Sequence, residues 1–236
     1  MTVKNFDGGL SPPGGFDPPP PPSPDLLKTV NGGRPVRTRT RFGAFALVAL
    51  IGLVWPVIAL GHLPLRRDLE ALPAWWVTTA ATLWGMSFVL SLAAALVPRR
   101  GDVLPAPGRA SRVSGTAMAV LLLFALVATA QAPGLSLRPE DLHFSLFGSC
   151  VHCIRFVFEI SAAFLVIGLL ALRRLVPVGG PRIGMALGAA GGAMGGLVLH
   201  FICPIAGTAH VVLAHVGGMV LAAATGALLL PGIARR

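Results

Sequence analysis

The sequence has no tyrosine, only nine acidic residues and only 12% charged side chains in 236 positions. Hydrophobic residues make up 54% of it and its mean hydropathy is +0.77. So little charge with so much apolar surface excludes an ordinary soluble domain and points to the membrane. Several catalytic signatures are also missing: no Gly-rich phosphate loop ending in Lys-Ser/Thr, no His-Glu-x-x-His, and no paired carboxylates. Because Glu159 is the one acidic residue near an apolar span, a proton pump or cation transporter built on several buried carboxylates is a poor fit. The first 33 residues lack an apolar core followed by a small-residue cleavage site, so no cleavable signal peptide is expected.

Long uncharged runs are what the chain does have. Phe42 to Leu65 spans 24 residues without a charge, Ala71 to Val97 spans 27, and Val113 to Leu137 spans 25. Each exceeds the roughly 20 residues with which a helix crosses a bilayer core. Ile183 to Ala234 runs 52 uncharged residues, enough for two crossings if Cys203-Pro-Ile-Ala-Gly-Thr208 is a turn. A further span from about Ile154 to Leu172 brings the expectation to six helices: an all-α integral membrane bundle.

The net charge of +10 comes from 19 Lys and Arg, and their positions matter more than their number. Fifteen lie before the first span, between spans two and three, between spans four and five, or at the end of the chain. The other side holds Arg66, Arg67, Arg138 and Arg155, with Asp68, Glu70, Glu140 and Asp141 among them. Cationic loops favour the cytoplasm, so both termini are expected there. Residues 1–33, with five prolines in a row from Pro18 to Pro22, read as a Pro/Gly-rich cytoplasmic tail, either a docking arm or a solvated extension. Residues 34–236 are then one transmembrane domain.

Chemistry must come from the few polar side chains left. Cys150, His152 and Cys153 fall at the outer end of helix four, and Cys203 opens the outer turn between helices five and six. His200 is three residues before Cys203, on a shared helical face. His210 begins helix six, and His215 is five residues deeper. Thiolate and imidazole suit a zinc- or copper-like ion, for which four ligands suffice. The same thiols also suit a disulfide switch outside the inner membrane, and His200, His210 and His215 suit haem. Packing alone is the remaining reading for any one of these side chains.

Arg155 and Glu159, four apart, are expected to pair near the boundary, with Glu159 within reach of the cluster. Gly184, Gly188, Gly192 and Gly196, with Gly191 and Gly195 beside them, allow close helix approach and place helix five centrally. Trp75, Trp76 and Trp84 read as lipid-facing or boundary anchors.

The Arg34-Pro-Val-Arg37 lead-in, the six spans, the outer cysteines and a Gly/Ala-rich helix five ending in Leu199-His-Phe-Ile-Cys-Pro204 together resemble the NrsF family. These are negative regulators of sigma-F, polytopic anti-sigma factors of the bacterial inner membrane. The resemblance implies a non-enzymatic protein that holds an extracytoplasmic-function sigma factor inactive. It also implies outer cysteines that release the sigma factor on metal or oxidative stress. Cys203 matches the cysteine of the His-x-x-Cys-Pro motif, and Cys150 or Cys153 the earlier one. The Cys-x-His-Cys doublet and the His210/His215 pair depart from a simple two-thiol pattern and favour metal ligation. Lys28, Arg34, Arg37, Arg39 and Arg41 with the basic loops are the expected sigma-factor contact. No direct nucleic-acid contact and no small-molecule substrate is expected. A metal exporter and a haem- or quinone-linked redox subunit are the rival readings.

Overall fold

The computed structural model describes residues 23, 25, 40–97, 106–128, 146–173 and 180–234. The chain divides into two units, Met1–Arg37 and Thr38–Arg236. The expected tail apart from Ser23 and Asp25, and the contact residues Lys28, Arg34, Arg37 and Arg39, lie outside the described residues, while Arg41 falls in the first turn of the first helix.

The second unit contains six helices long and apolar enough to cross a membrane, and no strand among the described residues. They are α1 (Thr40–His62), α2 (Ala74–Leu96), α3 (Pro107–Ala128), α4 (Leu146–Arg173) and α5 (Pro181–Ile202). The sixth, α6 (208–234), has three consecutive pieces: helical Thr208–His210, π-helical Val211–Val216 and helical Gly217–Ala234. Helix α4 starts eight residues before the span expected from about Ile154, so both Cys150 and Cys153 are helical. Helix α3 starts six residues before Val113 and takes in Arg109 and Arg112. Each caps a backbone carbonyl, Arg109 on Val97 and Arg112 on Gly108.

Helix α5 is the axis of the bundle. Within its span 78% of residues are buried inside the protein, against 17% in α1, and it packs chiefly on α6, α2 and α4. Its glycines show why. A side chain at Gly184 or Gly188 would strike the backbone carbonyls of Gly226 or Ala222 on α6, and one at Gly192 would strike Met219. On another face, a Cβ at Gly191 or Gly195 would stand 2.9 Å from the Cα of Ser161 or Val157 on α4. Lipid offers helices no hydrophobic incentive to associate, so contact depends on such close backbone approach.

Helix α2 supplies the third face. Trp76, Ala80, Trp84, Phe88 and Leu92 recur every four residues and are all buried, as one helical face requires. The Trp84 ring occupies the space that a side chain at Gly196 would need. This corrects the reading of Trp76 and Trp84 as lipid anchors; of the three, Trp75 is the one that is exposed. Helix α1 is peripheral, touching the bundle at Gly52 over the edge-to-face rings of Phe88 and Phe164. Its Leu47, Leu50, Leu53, Val57 and Ile58 face outward, where a bilayer would solvate them.

Candidate functional site

The end of the bundle where α1 meets α2 and α5 meets α6 is closed by a polar strap. The Arg66 backbone N–H donates to Phe201 O at 2.9 Å. Its guanidinium forms two 2.7 Å bonds to the Asp68 carboxylate and a 3.4 Å bond to Pro204 O. The Arg66 side chain is 2% exposed and its charge lies over the Trp76 ring at 5.9 Å. A buried cation needs such partners. Nothing in the sequence separated Arg66 from the other loop charges, because apart from the nearby Asp68 its partners are backbone atoms more than 130 residues away.

The strap holds the turn carrying Cys203. Helix α5 stops there because Pro204 has no N–H to donate and pushes the preceding residue out of helical geometry. Cys203 takes an extended conformation while its own N–H still reaches Leu199 O. That turns the thiol back over the bundle end. The Cys203 Sγ lies 3.8 Å from Cys153 Sγ on α4 and 3.4 Å from His210 Nε2 on α6.

His215 completes the group. Donor atoms of Cys153, Cys203, His210 and His215 all lie within 4.8 Å of one another, and all four residues are buried. In an α-helix, residues five apart are separated by about 140° around the axis, which would carry His215 away from His210. The π-helical stretch Val211–Val216 bonds each residue to the one five before it. This brings the two imidazoles into an edge-to-face contact at 5.4 Å. His215 Nε2 is buried without a hydrogen-bond partner among the described residues.

The other expected residues take separate places. Cys150, one turn from Cys153, lies 3.6 Å from the opposite nitrogen of His210, Nδ1, and Ser149 Oγ lies 3.4 Å from the same atom. Both stand behind His210 rather than within the four-donor group; Ser149 was not singled out from the sequence. His200 turns instead to α2, where its Nε2 meets Val77 O at 3.1 Å and its ring lies 4.8 Å from Trp76. His152 is exposed. Glu159 pairs with Arg155 at 2.8 Å on an exposed face and joins no cysteine or histidine among the described residues.

The donor set fits a borderline or soft divalent ion. Sulfurs about 2.3 Å and nitrogens about 2.0–2.1 Å from a tetrahedral centre stand about 3.8 Å apart for S···S and about 3.5 Å for S···N. The Cys153–Cys203 and Cys203–His210 separations are 3.8 Å and 3.4 Å, and the other donor pairs lie within 4.8 Å. The Cys203 thiol is held below its ordinary value by the hydrogen bond from the Cys153 thiol. Burial opposes this, and the contact with His210 adds to it. A thiolate is the form that binds metal or attacks an oxidant.

No curated protein and no solved structure matches the chain. A family model does: six apolar spans, a Gly-packed α5 and a thiol in the turn that ends it fall within residues 30–235, which match NrsF, negative regulator of sigma F, and the chain belongs to that family.

Proposed function

We propose that this protein is an inner-membrane anti-sigma factor that retains an extracytoplasmic-function sigma factor at its cytoplasmic face and releases it when the Cys/His group reacts. Family membership makes it a negative regulator of a sigma factor. The observation carrying the rest is the meeting of Cys153, Cys203, His210 and His215 within 4.8 Å, drawn from α4, the α5–α6 turn and α6. Those four residues would hold a zinc- or copper-like ion, which when bound ties three elements together at fixed distances. Oxidation would join two of them through the sulfurs. Either event biases how α5 sits against its neighbours.

The sigma factor then needs only to prefer one arrangement. A tenfold change in its affinity corresponds to about 1.4 kcal/mol of coupling, and linkage requires sigma binding to weaken the response by the same factor. Lys28, Arg34, Arg37, Arg39 and Arg41 with the basic loops form the proposed contact. The protein acts as a regulator, without turnover. A transport path would need polar groups continuing through the bundle. Beyond the cluster end, the buried polar side chains among the described residues are serines such as Ser91, Ser114 and Ser161.

The test is co-purification of the full chain in detergent with sigma factors of the same cell, before and after treatment with zinc or a thiol oxidant. An extracytoplasmic-function sigma factor should be retained by the reduced, metal-free protein and lost on treatment. The Cys153→Ser/Cys203→Ser variant should keep it throughout. Finding no sigma factor in either state would turn the reading toward transport.

A further inference from the structure

Beside the two thiols, between the ends of α4 and α5, lies a cavity of about 640 Å³, within the range of small-molecule sites. Cys153 and Cys203 border it, and its walls include Phe156, Leu199, Ile202 and Ile205. Most of its lining belongs to membrane-spanning segments, and Val151 at its edge is half exposed, so it is open to a molecule arriving from the lipid phase. At its rim are two side chains able to donate hydrogen bonds, His152 and Arg155. Both are exposed, and Arg155 binds Glu159 through Nε, leaving the outer guanidinium nitrogens available.

These features select one chemical class. A pair of thiols 3.8 Å apart can give up two electrons and two protons together. An apolar chamber with an aromatic wall takes a flat lipophilic ring, and donors at its rim suit carbonyl oxygens. We propose that the cavity binds a membrane quinone and that the quinone oxidises Cys153 and Cys203. The two S–H bonds break and an Sγ–Sγ bond forms. The two electrons and two protons pass to the quinone, whose carbonyl oxygens become the hydroxyls of a quinol. The site would thereby report the oxidation state of the membrane's electron carriers. This deepens the sensing reading and rests on it for the use of these sulfurs.

The test uses the full chain, reduced and chelator-treated, in lipid nanodiscs under argon, with a short-chain ubiquinone analogue as probe. The quinone's ultraviolet absorbance and the protein's free thiols are followed together. One quinol should form for each Cys153–Cys203 disulfide, and none with Cys203→Ser. Val151→Trp, which fills the mouth of the cavity, should slow the quinone reaction at least tenfold while leaving oxidation by water-soluble diamide unchanged. Thiols that stay reduced with the quinone but oxidise with diamide would overturn the proposal, as would a Val151→Trp variant that reacts with quinone at the original rate. Failure of both oxidants would overturn it too. Retention of the sigma factor after diamide has made the disulfide would count against the sensing reading alone and leave the quinone result standing.

Discussion

Cys203 and His210 face each other across the turn joining α5 to α6, with Sγ and Nε2 3.4 Å apart. Each belongs to a helix end, so their separation is set by the five residues 203–207 and by whatever holds those residues. Arg66 is that holder: its backbone N–H binds Phe201 O and its guanidinium binds Pro204 O. The loop between α1 and α2 therefore governs the geometry of thiols it does not touch.

Asp68 is expected to be necessary to that arrangement. Asp68→Asn leaves the Arg66 charge buried with its main partner gone, a change that costs about 3–5 kcal/mol in comparable pairs. Replacing both residues by apolar ones should cost less, because no charge is stranded. Thermal unfolding in a single detergent separates the two cases; equal loss in both would show that the ion pair is not what holds the loop.

Cobalt(II) offers a direct reading of the four-donor group. The reduced protein should develop thiolate-to-cobalt absorption and a tetrahedral ligand-field spectrum, both lost in Cys153→Ser and Cys203→Ser. His152→Ala and His200→Ala should leave the spectrum intact, since the first is exposed and the second is bonded to Val77. Removing the groups behind His210, with Ser149→Ala and Cys150→Ala together, should weaken binding by about 10- to 100-fold through the lost orientation of the ring.

Metal and oxidation compete for the same atoms. Diamide should join Cys153 to Cys203 and leave Cys150 free, and protein saturated with zinc should resist. Peptide mapping by mass spectrometry reads the linkage; a Cys150–Cys153 bridge would mean that α4 alone supplies the switch.

The two kinds of glycine on the helices should behave oppositely. Gly188→Val drives a side chain into the Ala222 carbonyl, and overpacking of this sort costs about 1–3 kcal/mol. At Gly85 an added Cβ meets nothing within 4 Å, so Gly85→Ala should gain up to about 1 kcal/mol of helix propensity. Melting temperatures in detergent should move in opposite directions.

Much of this architecture was legible in the chain. Charge-free runs gave five of the six helices because bilayer thickness imposes a minimum length, the remaining span being the one that carries Arg155 and Glu159, and Pro204 with Gly207 marked the last turn. The glycine spacing on α5 foretold its central place. What stayed hidden depended on distance or on backbone form. Trp76 and Trp84 look alike in sequence whether they face lipid or α5, and only Gly196 opposite Trp84 decides the matter. His200 and Cys203 are three apart, as one helical face requires, yet the helix ends between them at Ile202 and sends their side chains to different neighbours. The union of His210 with His215 needed a wide turn that no residue pattern announces.

That wide turn leaves α6 with a surplus residue. Five positions do what four would in an ordinary turn, so removing Val211 or Val212 would let the segment relax to regular helix with its length hardly altered. The two imidazoles would then be four residues apart, about 40° around the axis, and would still share one face. A one-codon deletion would keep the pair together, whereas straightening the turn with every residue in place would part them by rotation alone.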